Sequence, residues 1–496
     1  MSEPSRADIL ALERAARALE PGTSRRKALR NAIAASGERF LRRIGTAKAW
    51  EEPEENASGL LDLPVAERGI PLEKAIALLE REVIAPGLNP ASGGHLGYIP
   101  GGGIYHSSLA DYLAAVTNKY ASVFFVGPGA VQMENMLVRW TADLIGFGPE
   151  AGGSILSGGS IANLSALATA RDAHGLLGAD YAATVVYLTS QAHHSVEKAL
   201  DLVGLREVQR HLVPMDEGHR MRPDALGRAI AEDRARGARP WLIVAAAGTT
   251  DAGAVDPLDQ IAEVAQREGC WLHVDAAYGG FFLLTEHGRT ALAGIARADS
   301  VVLDPHKGLF LPYGCGMLVA RDARLLARTH GHTGHYMQDA NRDVTDLSPA
   351  EVSPELTKHF RALRMWLPLV VLGVAPFRAA LDEKLRLARY AAEQLKGLGF
   401  EVGPAPDLSV VTFRWAPAGV DPQGLDELNQ RIVDAVRRDG RVFISSTMLD
   451  GRYTMRLAIL SFRTHLRTVD LALRVLQEQV ALLSNASARG LPATPD

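Results

Sequence analysis

Cysteine is scarce in this chain of 496 residues, which contains only Cys270 and Cys315. Two cysteines cannot form a disulfide framework, and neither belongs to a C-x-x-C pair. A reducing compartment is therefore the simpler setting, and we expect a cytoplasmic location.

Long apolar runs and an excess of charge of either sign are also missing. No stretch approaches the roughly 18 apolar residues that a membrane span needs, and the N-terminal residues mix charges into an amphipathic pattern unlike a signal peptide. The 53 basic and 57 acidic residues give a net charge of −4, which offers no reason to expect nucleic acid or an anionic membrane as a partner. We expect a soluble protein with neither of these partners.

The order of helix-like and strand-like segments predicts three units and a tail, because the chain is too long for one compact core. Residues 1–90 are predicted to form a helical segment that packs on the main body or on a partner subunit. Residues 91–375 alternate helices with short apolar strands such as TVVYLTS (184–190), which predicts an α/β domain with a mostly parallel sheet covered on both faces. Residues 376–485 are predicted to be a smaller α+β domain, and 486–496 a disordered tail.

The stretch SILSGGSIANLSALATARD (154–172) joins a strand to a helix through Gly158, Gly159 and Ser160. Glycines let the backbone approach an anion, and a helix N-terminus offers free N–H groups and the positive end of the dipole. An anion cradle is one interpretation, and a serine cap after a glycine turn is the other. The stretch is neither a P-loop nor G-x-G-x-x-G, so nucleotide binding is not indicated.

Two adjacent histidines, His193 and His194, follow the apolar run TVVYLTS. An imidazole at a strand-to-helix turn contacts a ligand, caps the helix or packs against it. We do not expect a metal site, because adjacent side chains point in different directions and no Cys, His or carboxylate set with ligand spacing accompanies them.

An aspartate and a lysine also follow apolar strands. Asp275 ends the strand of WLHVDAAYGG, where a buried carboxylate needs a partner such as a metal, a substrate amine, a protonated ring nitrogen or the backbone of the next turn. Lys307 lies next to His306, with no acid after the Asp304-Pro305 turn. A lysine with an apolar approach can lose its proton and attack a carbonyl; an exposed turn lysine is the alternative.

An anion cradle, an imidazole, a strand-end carboxylate and an approachable lysine are what an aldehyde cofactor with a phosphate and a pyridine nitrogen requires. The chain also resembles a known family, the group II pyridoxal-phosphate decarboxylases, which include aromatic-L-amino-acid and glutamate decarboxylases. The resemblance runs from about His95 into the C-terminal domain and is carried by QAHHSVEKA, AGTTDAGAVDP, HVDAAYGG, DPHKG and FRALRMW. It implies a fold type I enzyme with pyridoxal 5'-phosphate as cofactor, an amino-acid substrate, and a homodimer with shared active sites.

The resemblance also implies roles for particular positions. Lys307 is similar to the lysine that holds the cofactor as an imine, Asp275 to the carboxylate facing the pyridine nitrogen, and His193 to the imidazole stacked on the ring. Further cofactor contacts are implied for Ala277 beneath the ring, Thr250 beside it, and Gly158, Gly159, Ser160 and His306 around the phosphate. An apolar segment of Tyr98, Ile99 and Pro100 is similar to the family's pocket lining and favours an aromatic L-amino acid over glutamate.

One step of the family's reaction lacks its usual residue. Group II decarboxylases commonly carry a tyrosine that reprotonates the quinonoid, on a loop before the FRALRMW-like helix. Here the residues nearest that place are Leu347 to Pro349, so Tyr336, His335 or another group takes the acid role, or the quinonoid is not efficiently protonated. Relatives without the tyrosine resemble aldehyde synthases, which makes oxygen-dependent aldehyde formation the alternative to amine-forming decarboxylation. A non-enzymatic binding or scaffold protein on this fold would be expected to lack Lys307 or Asp275.

Overall fold

The computed structural model describes residues 5–53, 58–60, 65–332 and 347–488. Its α-helices are α1 Arg6–Ala16, α2 Thr23–Arg43, α3 Leu72–Leu79, α4 Tyr105–Thr117, α5 Pro128–Ile145, α6 Gly159–Ala173, α7 His194–Leu202, α8 Pro223–Ala235, α9 Leu258–Glu268, α10 Glu286–Ala291, α11 Pro305–Gly308, α12 Ala323–His330, α13 Arg361–Leu372, α14 Ala375–Gly397, α15 Pro422–Asp439 and α16 Leu466–Ala488. Its strands are β1 Trp50–Glu51, β2 Gly87–Leu88, β3 His95–Leu96, β4 Gly152–Leu156, β5 Thr184–Leu188, β6 Gln209–Leu212, β7 Arg239–Ala246, β8 Trp271–Asp275, β9 Ser300–Leu303, β10 Gly316–Ala320, β11 Glu401–Val402, β12 Val410–Arg414, β13 Phe443–Leu449 and β14 Arg452–Ala458.

The larger sheet has seven strands in the order β4-β10-β9-β8-β7-β5-β6. All of its neighbouring strands are parallel except β10, which runs antiparallel to both β4 and β9. Strands β5 and β9 are buried along their whole length, because helices cover both faces and leave no solvent side for polar residues. The predicted mostly parallel α/β fold is confirmed.

The helices of this domain bury one face each. Helix α9 places Leu258, Ile261 and Ala265 in the core and ends at Gly269, whose φ of 67° is the left-handed conformation common after a helix. This regular alternation of strand and helix brings the carboxyl ends of β5, β7, β8 and β9 to one edge of the sheet, where ligand sites of such folds lie.

A second sheet, of five strands in the order β11-β12-β14-β13-β3, forms the C-terminal α+β region. Strand β3 comes from far upstream and pairs in parallel with β13, because Leu96 is fully buried in the second core beside residues such as Leu387 and Val469. Helix α14 begins at Ala375, next to the predicted boundary between residues 375 and 376. It contributes Leu381 to the core of the large domain and Leu387 to the second core, so it joins the two.

The N-terminal helices are present as predicted, and neither α1 nor α2 has a buried residue. Ser36 and Arg39 of α2 bond to Glu80, in the π-helical turn after α3, at 2.5 and 2.6 Å. At the other end of the chain, α16 continues to Ala488. Residues 486–488 are therefore helical where we expected a disordered tail, since the helix that packs into the second core extends past its last buried turn; residues 489–496 lie outside the described part.

Among the described residues, no single helix is long and apolar enough to cross a membrane. Helices α13 and α14 meet the length and composition only as a pair, and a 94° bend separates them.

Candidate active site

One cavity of about 290 Å³ opens at the carboxyl edge of the large sheet. Every residue for which a cofactor contact was predicted lines it: Gly158, Gly159, Ser160, His193, Thr250, Asp275, Ala277, His306 and Lys307. These residues come from five separate strand-to-helix or strand-to-turn connections. The fold therefore brings together a set that is scattered over 150 positions of sequence numbering, from 158 to 307.

The turn between β4 and α6 forms one end of the cavity. Gly159 has no room for a side chain, because a Cβ there would lie 3.0 Å from Asp304 Oδ2 and 3.4 Å from Ala277 Cβ. The first N–H groups of an α-helix have no partner within the helix and point away from its N-terminus, and α6 has 15 residues behind this end. The free N–H groups and the dipole of the helix favour an anion such as a phosphate at this turn.

His193 lies at the N-terminus of α7, where its Nδ1 accepts the backbone N–H of Ser195 at 3.2 Å. It therefore caps the helix and lines the cavity at the same time. Burial is the main cause that lowers the pKa of His193 below its usual value, so the ring is neutral at neutral pH. In the described part of the chain, no group of three or more His, Cys, Asp or Glu side chains could hold a metal ion.

Asp275 ends β8 with its two carboxylate oxygens bonded to different groups. Oδ1 accepts the N–H of Ala277 at 3.1 Å, and Oδ2 accepts from Asn163 Nδ2 at 3.0 Å. These two donors help to offset the cost of holding a carboxylate at the end of a buried strand.

Lys307 lies on the short helix α11, one residue after His306. Its Nζ is 3.0 Å from Oδ2 of Asp304, a carboxylate that is almost fully buried. His306 donates its Nδ1–H to the carbonyl of Cys315 at 2.6 Å, and burial lowers the pKa of His306. The sequence reasoning treated Asp304 only as part of a turn and missed this ion pair, although the i,i+3 spacing in DPHK could have indicated it.

Two buried polar atoms of the cavity, Asp304 Oδ1 and Gln191 Oε1, have no hydrogen-bond partner within the described structure. A ligand with N–H or O–H donors would satisfy them, because a carboxylate oxygen and an amide oxygen only accept. Together with the N-terminus of α6 at Gly159, the amine of Lys307 and the carboxylate of Asp275, they make a donor and acceptor set that fits pyridoxal phosphate.

The predicted substrate segment is adjacent to this cavity and does not line it. Ile99 and Pro100 are buried, while Tyr98 is exposed and has a left-handed φ of 51°. The segment lies against the lysine turn, because a Cβ on Gly101 would be 2.0 Å from the carbonyl oxygen of His306. The structure thus places the three residues beside the Lys307 turn.

Sequence reasoning also missed Arg456, on β14. Its guanidinium donates to the carbonyl oxygens of Tyr98, at 3.3 Å, and of Thr250. It bonds in addition to Ser445 Oγ at 2.8 Å. An arginine in the otherwise apolar run YTMRLAIL was the available signal. This buried side chain connects the small sheet to the substrate segment and to the cofactor side of the cavity.

The predicted acids Tyr336 and His335 lie outside the described residues. Leu347 and Ser348 are described, and both are bonded to neighbouring structure. Asn135 donates to the carbonyl of Leu347 at 3.0 Å, and Ser348 Oγ accepts the N–H of Phe124 at 3.1 Å.

The fold and the cavity together define a class of protein. A mostly parallel sheet with an amine, a strand-end carboxylate, an imidazole and a helix N-terminus around one cavity is the architecture of a fold type I pyridoxal-phosphate enzyme.

Comparison with known proteins narrows this class. A family model described as the pyridoxal-dependent decarboxylase conserved domain matches residues 57–416, and the chain belongs to this family of amino-acid carboxy-lyases. An aromatic-L-amino-acid decarboxylase of Bacillus atrophaeus is 36% identical over 395 residues, which are 79% of this chain and 81% of that protein. Human cysteine sulfinic acid decarboxylase is 33% identical over 381 residues, 74% and 76% of the two chains. The crystal structure of Oryza sativa TDC with PLP and tryptamine shares the fold, with a TM-score of 0.87, 23% identity and coverage of 93% and 99%.

Proposed function

We propose that this enzyme decarboxylates an aromatic L-amino acid to the corresponding amine and CO₂. The observation that carries the proposal is the meeting of Lys307, Asp275 and His193 in one cavity that the N-terminus of α6 also lines. The 36% identity to the Bacillus atrophaeus aromatic-L-amino-acid decarboxylase supports the reaction and the substrate class.

When bound, pyridoxal phosphate supplies an aldehyde carbon that condenses with amines and a ring that withdraws electrons from the substrate's α-carbon. Lys307 would hold the aldehyde carbon, and its ion pair with Asp304 positions Nζ at this end of the cavity. Asp275 would hold the ring nitrogen and keep it protonated, since a carboxylate favours the charged form of a nearby base. His193 would pack against the ring as a neutral imidazole.

The aromatic side chain is favoured by the surroundings of the substrate segment. Tyr98 is the exposed residue of this segment, and its ring packs with Phe443 at a ring-centroid distance of 5.7 Å, which gives an apolar and aromatic surface beside the lysine turn. An acidic substrate, as in the human cysteine sulfinic acid decarboxylase, would need a cation free to bind it. The guanidinium of Arg456 is close to this segment, but all three of its nitrogens are already bonded: Nη2 donates to the carbonyls of Tyr98 and Thr250, and Nε and Nη1 donate to the Asp251 carbonyl and Ser445 Oγ.

Oxygen-dependent formation of an aldehyde is the second candidate. The observation in its favour is the absence of a tyrosine at positions 347 to 349, where Leu347 and Ser348 are instead bonded to Asn135 and Phe124. In that reaction one O₂ and one water would be consumed for each CO₂, ammonia and hydrogen peroxide released with the aldehyde. Tyr336 remains the proposed acid of the amine-forming reaction.

A homodimer is also proposed, because apolar side chains form a continuous exposed face on α4, directly after the substrate segment. Their exposures lie between 44% and 65%, and their spacing follows one side of a helix: Tyr105, Leu109, Tyr112, Leu113 and Val116. A second copy of this chain covering α4 would place the two active sites beside the interface.

The test is an account of products and oxygen. Protein loaded with pyridoxal phosphate is given aromatic, acidic and basic L-amino acids, and CO₂, amine, aldehyde, peroxide and oxygen uptake are measured. We expect amine equal to CO₂, without oxygen uptake, and the highest kcat/KM for an aromatic substrate. Aldehyde with matching oxygen consumption would replace this proposal by the second candidate.

Two variants sharpen the assay. Lys307→Ala should abolish turnover and the covalent retention of cofactor after borohydride reduction; full turnover would refute the role of the amine. Tyr336→Phe should shift the products from amine towards aldehyde if Tyr336 is the proton donor, whereas an unchanged product ratio would exclude it.

A further inference from the structure

Asn163, on α6, lies behind the cavity and joins two of its groups. Its side-chain Nδ2 donates one N–H to Asp275 Oδ2 at 3.0 Å and the other to Ser195 Oγ at 2.9 Å. The residue is only 1% exposed. Both hydrogens of the amide are therefore bonded, one to the Asp275 carboxylate and one to Ser195, in the first turn of α7 next to His193.

The buried His273 contacts the oxygen of the Asn163 amide and helps to fix its orientation. Asn163 Oδ1 is 2.9 Å from Nε2 of the buried His273, which must donate because an amide oxygen only accepts. Burial lowers the pKa of His273 to about 4, so its ring is neutral and its Nδ1 accepts from Ser300 Oγ at 2.8 Å. Ser300 in turn accepts the indole N–H of Trp271 at 2.9 Å. The direction of these hydrogen bonds is fixed from the Asp275 end: an ionised carboxylate only accepts, so Asn163 turns Nδ2 towards Asp275 and Oδ1 towards His273, and His273 Nδ1 is left as the acceptor.

The hydrogen bond from Asn163 to Ser195 continues to the imidazole of His193. Ser195 Oγ accepts from Asn163, so its own proton is free for His193 Nδ1, at 2.7 Å. The backbone N–H of Ser195 points at the same nitrogen, at 3.2 Å. Nδ1 is thus an acceptor, and the proton of the neutral imidazole is on Nε2.

We propose that Asn163 is a positioning residue for pyridoxal phosphate: its side-chain amide holds the carboxylate of Asp275 and, through Ser195 Oγ, orients the imidazole of His193. The inference rests on the proposed roles of Asp275 and His193 and extends them, because it makes the two groups one hydrogen-bonded unit. A residue that anchored α6 alone would not link them.

The experiment is a double-mutant cycle on the holoenzyme with Asn163→Leu, Ser195→Ala and the double variant. Thr169→Val is the matched control, since Thr169 is equally buried in α6 but bonds only to the backbone of Ser165. The rate of cofactor release on dilution, the visible circular dichroism of the bound cofactor, kcat and KM are measured for each variant.

We expect Asn163→Leu to speed cofactor release by about 10- to 100-fold, the range for leaving buried partners unsatisfied, and to lower kcat more than it changes KM. The circular dichroism band should decrease, because the ring is less firmly oriented. Ser195→Ala should have a smaller effect that is largely absent in the Asn163→Leu background, because both changes break the same branch. Thr169→Val should match the wild type.

Independent, multiplying effects of Asn163→Leu and Ser195→Ala, or an equal loss in Thr169→Val, would overturn the proposal. Ser195→Ala keeps the test available if Asn163→Leu does not fold. A direct readout is the ¹⁵N spectrum of histidine-labelled holoenzyme, with His193 assigned from His193→Gln. Its Nδ1 should be unprotonated in both the wild type and Ser195→Ala, because the backbone N–H of Ser195 still donates to it, but its resonance should shift in Ser195→Ala, where the hydroxyl donor is lost. Cofactor release, circular dichroism and the ¹⁵N spectrum do not depend on turnover. They decide the role of Asn163 even if no tested amino acid is decarboxylated.

Discussion

Lys358 and Glu134 form an ion pair that water does not reach, with side-chain exposures of 0% and 1%. Lys358 Nζ donates to Glu134 Oε1 at 2.7 Å and to Ser154 Oγ at 2.9 Å. The same carboxylate oxygen accepts from Ile155 N at 2.9 Å. The pair fastens the segment before α13 to α5 and β4, so we predict that breaking it destabilises the protein.

The expected loss in the free energy of unfolding depends on which buried charge each variant leaves without its partner. Lys358→Met leaves the Glu134 carboxylate buried without a cation, and Glu134→Gln leaves the Lys358 ammonium without an anion. Removing one partner of a buried pair costs about 3–5 kcal/mol. The double variant leaves no charge, and its Gln can still accept from Ile155, so it should lose only about 1 kcal/mol.

The assay is equilibrium unfolding in urea followed by far-UV circular dichroism. The exposed pair of Arg324 with Asp322 is the control; Arg324→Met should leave the free energy of unfolding nearly unchanged, since its side chain is 77% exposed and the pair is screened by water. A loss below about 1 kcal/mol for Lys358→Met, or a double variant as unstable as the sum of the single variants, would refute the reasoning.

Three further predictions concern substrate binding, pH and assembly. Arg456→Lys removes part of the support of the Tyr98 and Thr250 carbonyls, so KM should rise about tenfold with a smaller change in kcat, whereas Arg452→Lys on the exposed end of β14 should leave steady-state kinetics unchanged. Burial lowers the pKa of His95 to about 4, below the value of about 6.5 in the unfolded chain; its contribution to stability is therefore fully present above pH 6.5 and lost as the pH falls towards 4, by about 2 kcal/mol between pH 7 and pH 5. His95→Phe should reduce the loss in the free energy of unfolding between pH 7 and pH 5, measured in urea, by about 2 kcal/mol. An unchanged pH dependence would exclude His95 as the source of this loss. Leu113→Arg on α4 should convert a dimer to monomers in sedimentation velocity, and Leu482→Arg, on the exposed side of α16, should not; a monomeric wild type would contradict the proposed dimer.

Much of the site could be predicted because its signals are local. His193, Asp275 and Lys307 each follow an apolar strand, and the residues beside them mark where the strand stops. Parallel strands end at the same edge of a sheet, so residues that follow such strands were expected to meet even though the sequence separates them.

Other features left no such signal. Strand β3 is two residues long and pairs with β13 across about 350 positions, at His95 with Phe443. No periodicity can mark a strand this short, and its partner is chosen by the burial of Leu96 in the second core. The apolar pattern of β10 also does not show that this strand runs antiparallel to its neighbours β4 and β9. Its direction follows from the segment between β9 and β10, which returns the chain along the same sheet.

The sequence by itself determined the alternation of strands and helices, the positions of the strand ends and the kinds of side chain placed there. Only the tertiary structure decided that Asn163 bonds to Asp275, that Asp304 pairs with Lys307, and that Arg456 holds the carbonyls of distant loops. The reason is physical: hydrophobic periodicity acts over a few residues, whereas hydrogen-bond partners are selected by distances of about 3 Å that exist only after the whole core has packed.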